Sequence, residues 1–148
     1  TALPRACGAN PTPIAFAEVY LALQNGTVDA QENPLPTIEA KKFFEVQKNI
    51  ILTGHISDAL LTVISPSLMG KLNPAEQKLL ADITQEAAVN ATNDIRKREG
   101  ELVEEFKKKG NNVITVDRAD FQQRVLKAIT FESMKLDKKD WDRVIAIK

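Results

Sequence analysis

The stretch NPAEQKLLADITQEAAVNATNDIRKREGELVEEFKKKG, residues 73–110, decides how the rest of the chain is read. Asn73, Pro74 and Glu76 stand in the order of a capping box. The asparagine offers an acceptor to the first turn, the proline takes a position that needs no N–H, and the glutamate reaches back to the cap. Leu80, Ile83, Ala87, Ala91, Ile95, Leu102 and Phe106 then recur at helical spacing, and Gly110 stops the run. Unbroken, such a helix has about 35 residues and a length on the order of 50 Å. Gly100 lies inside it at a cost of about 1 kcal/mol relative to alanine, and is expected to mark a bend or a junction between two helices. The lysines at 107–109 fall where cations oppose the helix macrodipole.

On the C-terminal side, residues 112–116 read as a short strand. Asp117 then caps a helix carrying Phe121, Val125, Leu126 and Ile129, and Trp141, Val144 and Ile147 mark a last helix packed on the body. On the N-terminal side, residues 49–53 and 59–65 are apolar and β-branched, suited to strands buried on two faces. Gly54, His55, Ile56, Ser57 and Asp58 separate them. Thr37 is placed to cap a helix over 38–48 that buries Ile38, Phe43 and Val46, after the breaks at Pro34 and Pro36. Residues 27–33 are short and polar, with Asp29, Gln31 and Glu32 unusual for a strand. Residues 15–24 carry Phe16, Val19, Tyr20 and Leu23 at helical spacing, ended by Asn25-Gly26. The opening, 1–13, is expected to be irregular or briefly extended. Strands alternating with helices give an α/β class.

Composition narrows the partners. Twenty basic residues balance twenty acidic ones, which gives no electrostatic basis for nucleic acid or an anionic membrane as a partner. Cys7 is the only cysteine and His55 the only histidine, so neither an internal disulfide nor the usual zinc ligand set is available. No apolar run reaches the roughly 20 residues that span a bilayer. The start carries neither a signal peptide nor an initiator methionine, and is read as mature, trimmed or truncated.

A Walker loop, a Rossmann glycine fingerprint, a GxSxG elbow and a CxxC pair are all absent from the sequence. What remains is a polar cluster of Asp29, Glu32, Asn33 and His55. Glu32 and His55 have the residue types of a general acid/base pair, because imidazole titrates near neutrality and a carboxylate can orient it. No nucleophile accompanies them, which favours the other reading, a histidine in a structural hydrogen bond to a carboxylate or a backbone carbonyl. Asp29 fits a turn as well as a ligand contact, and Phe16 with Tyr20 fits a buried helix face.

Three blocks carry a resemblance. The first is Gly8-Ala9-Asn10-Pro11-Thr12-Pro13-Ile14-Ala15-Phe16-Ala17-Glu18-Val19-Tyr20-Leu21-Ala22-Leu23-Gln24. The second is Val28-Asp29-Ala30-Gln31-Glu32-Asn33-Pro34-Leu35. The third is Lys42-Phe43-Phe44-Glu45-Val46-Gln47-Lys48, followed by Leu52-Thr53-Gly54-His55-Ile56. In order and spacing these resemble the solute receptors of TRAP-type transporters, DctP type. The likeness is clear from residue 7 to 65, weaker to Phe121, and without distinctive match at the end.

The resemblance implies an α/β, two-lobed periplasmic binding protein (clamshell) fold with a long lobe-crossing helix, incomplete here. Residues 1–58 and 99–148 would form most of the second lobe and 59–98 would belong to the first, the N-terminal half being absent. It also implies a periplasmic receptor that binds a small organic acid, delivers it to membrane permease subunits, and has neither enzymatic activity nor cofactor. By position, Asn33 would hydrogen-bond the ligand carboxylate and Phe16 would wall the cleft, with Glu32 and His55 in a supporting polar network. Ala30 replaces the family's glycine, and Arg5 lies too close to Gly8 to be the family's carboxylate-anchoring arginine. The 148 residues alone are accordingly expected to bind organic acids very weakly, and to self-associate or retain a missing first half. An acid/base enzyme using Glu32 and His55, and a helical interaction module built on residues 73–110, are the competing expectations.

Overall fold

The computed structural model describes residues 2–56 and 59–147. In chain order the elements are α1 (Ala2–Ala6), a 3-10 turn (Phe16–Glu18), α2 (Val19–Gln24), α3 (Leu35–Ala40), α4 (Phe43–Val46), β1 (Asn49–Leu52), α5 (Pro66–Met69), α6 (Pro74–Lys108), β2 (Asn112–Thr115), α7 (Arg118–Ala128) and α8 (Lys138–Ile145). Strands β1 and β2 pair as a two-stranded sheet. Beside them, Asn112 N–H donates to the Lys48 carbonyl at 2.8 Å and its side chain to Asn49 Oδ1 at 3.1 Å. The chain divides into two compact units, 1–19 with 51–56 and 114–148, and 20–50 with 57–113.

The second unit holds every buried apolar side chain among the described residues: Leu23, Ile38, Phe43, Ile50, Leu102 and Phe106. Its centre is the end of α6, where Leu102 and Phe106 have 0% exposure. Helix α3 packs there, and the Phe44 and Phe106 rings lie 5.5 Å apart. Asn111, just past the helix, donates through Nδ2 to the carbonyls of Phe44 and Gln47, both at 2.9 Å. In the first unit α1 packs on α7. Trp141 is half-buried, whereas Val144 and Ile147 are exposed rather than packed on the body.

The capping box forms as expected: Asn73 Oδ1 accepts from Glu76 N–H at 2.9 Å, and Glu76 Oε2 accepts from Asn73 N–H at 2.8 Å. The helix then runs for 35 residues, so Gly100 is not a junction. Expectations fail where local pattern met a competing constraint. The helix expected over 38–48 is two helices, with Lys42 at φ 57° between them. Ile38 and Phe43, five residues apart, would point about 140° away from each other on one helix, and the turn at Lys41-Lys42 lets both be buried. Nor does Thr37 cap α3, which starts at Leu35 with the Pro34 carbonyl accepting the Ile38 N–H at 3.0 Å. Within the opening Ala2–Ala6 forms the short α1, closed by Gly8 at φ 82°, while 9–13 is irregular as expected.

The strand expected over 59–65 does not form, and Leu60 is 97% exposed. A strand exists only with a partner, and the described residues pair only β1 with β2. Leu80, Ile83 and Ile95 on α6 are likewise exposed, so the apolar stripe is buried only at its C-terminal end. Ser57 and Asp58, read as part of a connector, lie outside the described residues. No helix among the described residues is long and apolar enough to cross a membrane.

Space around Gly100 is open, with no neighbouring atom within 4 Å of an added Cβ. Gly100→Ala is therefore expected to stabilise the fold by about 1 kcal/mol, read as a higher urea midpoint at unchanged slope. A lower midpoint would contradict the open space at Gly100.

Candidate functional site

Phe16 opens the 3-10 turn that leads into α2, and its ring is 48% exposed. It is therefore not a core residue, although its spacing to Tyr20 permitted that. Tyr20 is half-buried in the second unit, and its hydroxyl donates to Glu45 Oε2 at 3.0 Å. That hydrogen bond, with desolvation and the glutamate's charge, raises the phenol above its ordinary value. Asp29 is exposed in the bend that opens the second sequence block, and Glu32 is exposed three residues before α3.

Asn33 is half-buried directly before Pro34, and its Nδ2 donates to Gln31 Oε1 at 2.6 Å. The amide thus keeps a neutral partner that an anionic acceptor can replace with a stronger, charge-assisted bond. His55 follows β1 and shares a 2.7 Å hydrogen bond between Nδ1 and Thr53 Oγ1. Phe16 and His55 belong to the first unit, Glu32 and Asn33 to the second.

Sequence reasoning did not single out the charge cluster that holds α3. Arg98 of α6 pairs with Glu39 of α3, its Nε lying 3.3 Å from Glu39 Oε2, and its Nη1 reaches Glu105 Oε1 at 2.6 Å. Glu101, one turn along, comes to 3.6 Å. The run Arg98, Glu101, Glu105 was visible as neighbours on one helix, but Glu39, 59 residues away, had no local signal. The hydrogen bonds it donates to Glu105 and then Glu39 raise the Arg98 guanidinium, and accepting from Arg98 holds the Glu105 carboxyl below the ordinary glutamate range. Since α3 begins two residues after Asn33, this cluster fixes the element that carries the candidate amide.

Residues 1–133 match the family model for bacterial extracellular solute-binding protein, family 7. The chain belongs to this family. The match extends well beyond the blocks that carried the resemblance, and the family is one of solute binding rather than catalysis. The sialic acid-binding periplasmic protein SiaP of Vibrio cholerae is 44% identical over 116 residues, which are 78% of this chain and 36% of that protein. The 2,3-diketo-L-gulonate-binding periplasmic protein YiaO of Escherichia coli is 40% identical over 115 residues, 77% of this chain and 35% of that one.

Among solved structures, a TRAP periplasmic solute-binding protein of Roseobacter denitrificans, with bound 3-deoxy-D-manno-oct-2-ulosonic acid, superposes with a TM-score of 0.82. It is 32% identical, and the likeness covers 99% of this chain and 49% of that one. The fold class is therefore the two-lobed binding-protein class that the three blocks implied. The chain spans about half the length of that structure and about a third of the two family relatives.

The Arg98 cluster sets a pH dependence whose sign follows from the depressed Glu105 carboxyl. Its contribution is complete above the unfolded glutamate value of about 4.3 and is lost as pH falls through the lower folded value. Glu105→Gln is expected to be less stable than the wild type at pH 7, with the difference closing below about pH 4. Denaturant melts at stepped pH check this; a constant gap down to pH 2 would contradict it.

Proposed function

We propose that this chain forms part of an extracytoplasmic receptor of a TRAP transporter, which binds a small organic acid in the periplasm and delivers it to membrane permease subunits. The observation that carries the proposal is the family match over residues 1–133, which takes in all three sequence blocks. Two relatives and a structural neighbour take sialic acid, 2,3-diketo-L-gulonate and an octulosonic acid respectively, all of them oxygen-rich acids. Asn33 donates its side-chain amide to the ligand carboxylate, exchanging Gln31 for the charged acceptor. Phe16, with its ring exposed, supplies an apolar wall that selects by shape. Glu32 and His55 support the site as polar neighbours and carry out no proton transfer. In the same proposal, residues 1–58 and 99–148 make most of one lobe and 59–98 belong to the other.

Calorimetry on the complete product of the gene, with a panel of dicarboxylates, keto acids and sugar acids, tests the proposal. Micromolar binding of at least one acid is expected, with no turnover. Asn33→Ala should weaken it by about tenfold or more, the worth of a hydrogen bond to a charged group. Failure of every acid to bind, or consumption of one, would overturn the receptor assignment.

A further inference from the structure

Asn33, α3 and the Arg98 cluster of α6 all lie in the second unit. A single residue, Pro34, stands between Asn33 and the start of α3, with φ −58° and ψ 150°. The pyrrolidine ring fixes the first of these angles and confines the residue before it to extended backbone. Asn33 therefore moves with α3, and the linking backbone has little freedom to absorb a tilt of that helix.

Helix α3 has six residues, well short of the roughly 12–15 at which a helix holds itself in water. Its placement comes from two side chains adjacent in sequence. Ile38 is buried, and apolar burial draws the helix inward without fixing an angle. Glu39 supplies the direction. Its Oε2 accepts from Arg98 Nε at 3.3 Å and its Oε1 accepts from Arg98 Nη2. On its other edge the guanidinium donates from Nη1 to Glu105 Oε1 at 2.6 Å and from Nη2 to Glu105 Oε2 at 3.2 Å. Glu105 stands seven residues further along α6. The arginine is thus fixed on the long helix by one carboxylate and presents its second edge to the other, a two-sided grip that only a planar fork can make.

We propose that Arg98 is a positioning residue for ligand binding: held by Glu105, it sets the angle of α3 through Glu39, and so places the Asn33 amide at the carboxylate of the bound acid without touching that acid. This rests on the receptor function proposed above and adds to it a residue that governs affinity through orientation. The cluster is half-exposed, so breaking it costs little of the fold and shows mainly in binding.

The test is a double-mutant cycle between positions 98 and 33, read by calorimetry on the complete gene product. The probes are succinate, pyruvate and N-acetylneuraminate, followed by the rest of the carboxylate panel, and the tightest binder is carried through the cycle. Arg98→Ala is expected to weaken its binding by about threefold or more, and to cause no further loss in the Asn33→Ala background. Glu39→Gln should weaken binding in the same direction, and combined with Arg98→Ala should be no worse than Arg98→Ala alone. Arg98→Lys keeps the charge without the fork and should fall between, providing a readout if Arg98→Ala does not fold. Wild-type affinity in the Arg98 and Glu39 variants, while Asn33→Ala loses binding, would overturn the positioning role and leave the receptor standing. Equal losses with and without the Asn33 amide would make Arg98 merely structural. Unchanged binding in Asn33→Ala would remove the group that Arg98 is proposed to place, and the role with it. A wild type that binds no acid of the panel would remove the receptor function itself.

Discussion

Burial of Leu102 and Phe106 at the end of α6 is the interaction on which the second unit depends. Phe44 of α4 lies against Phe106, α3 packs on the same helix, and the turn at Asn111 ties onto Phe44. Truncating a buried phenylalanine costs about 3–5 kcal/mol, whereas an exposed ion pair contributes roughly 1 kcal/mol or less. Apolar burial therefore holds the unit together. The half-exposed Arg98 cluster fixes how α3 lies on the long helix rather than whether it lies there. Because α3 starts just after Asn33, the placement of the candidate ligand amide is inherited from that packing.

The first two-thirds of α6 stand on different terms. Here the helix is sustained by local devices: the capping box and the Lys78–Asp82 pair at 2.6 Å. Each of these is worth tenths of a kcal/mol to about one. Its apolar residues Leu79, Leu80, Ile83, Val89 and Ile95 face outward, as do Leu60, Leu61 and Val63 in the segment before α5. So one helix contains a part fixed by tertiary burial and a part fixed by its own sequence.

Much of this was legible from the residues, and the boundary follows range of interaction. The capping box, the Asp117 cap and the strands at 49 and 112 depend on neighbours within a few positions, and they form where pattern placed them. The break at Lys41-Lys42 was missed because its cause is the shared core that Ile38 and Phe43 must both reach. The strand at 59–65 was overcalled because β-branched composition describes a side chain's fit to a sheet, not the presence of a partner strand. At the candidate site, the three blocks located Phe16, Glu32, Asn33 and His55. They could not reveal the Arg98–Glu39 pair, since it joins residues 59 positions apart.

Amide hydrogen exchange along α6 tests most directly whether the buried end of the helix governs the rest. Amides at 101–108 are expected to exchange slowest, with protection on the order of a hundredfold above that at 77–96, where opening breaks only local contacts. Uniform protection from one end of the helix to the other would contradict the primacy of Leu102 and Phe106.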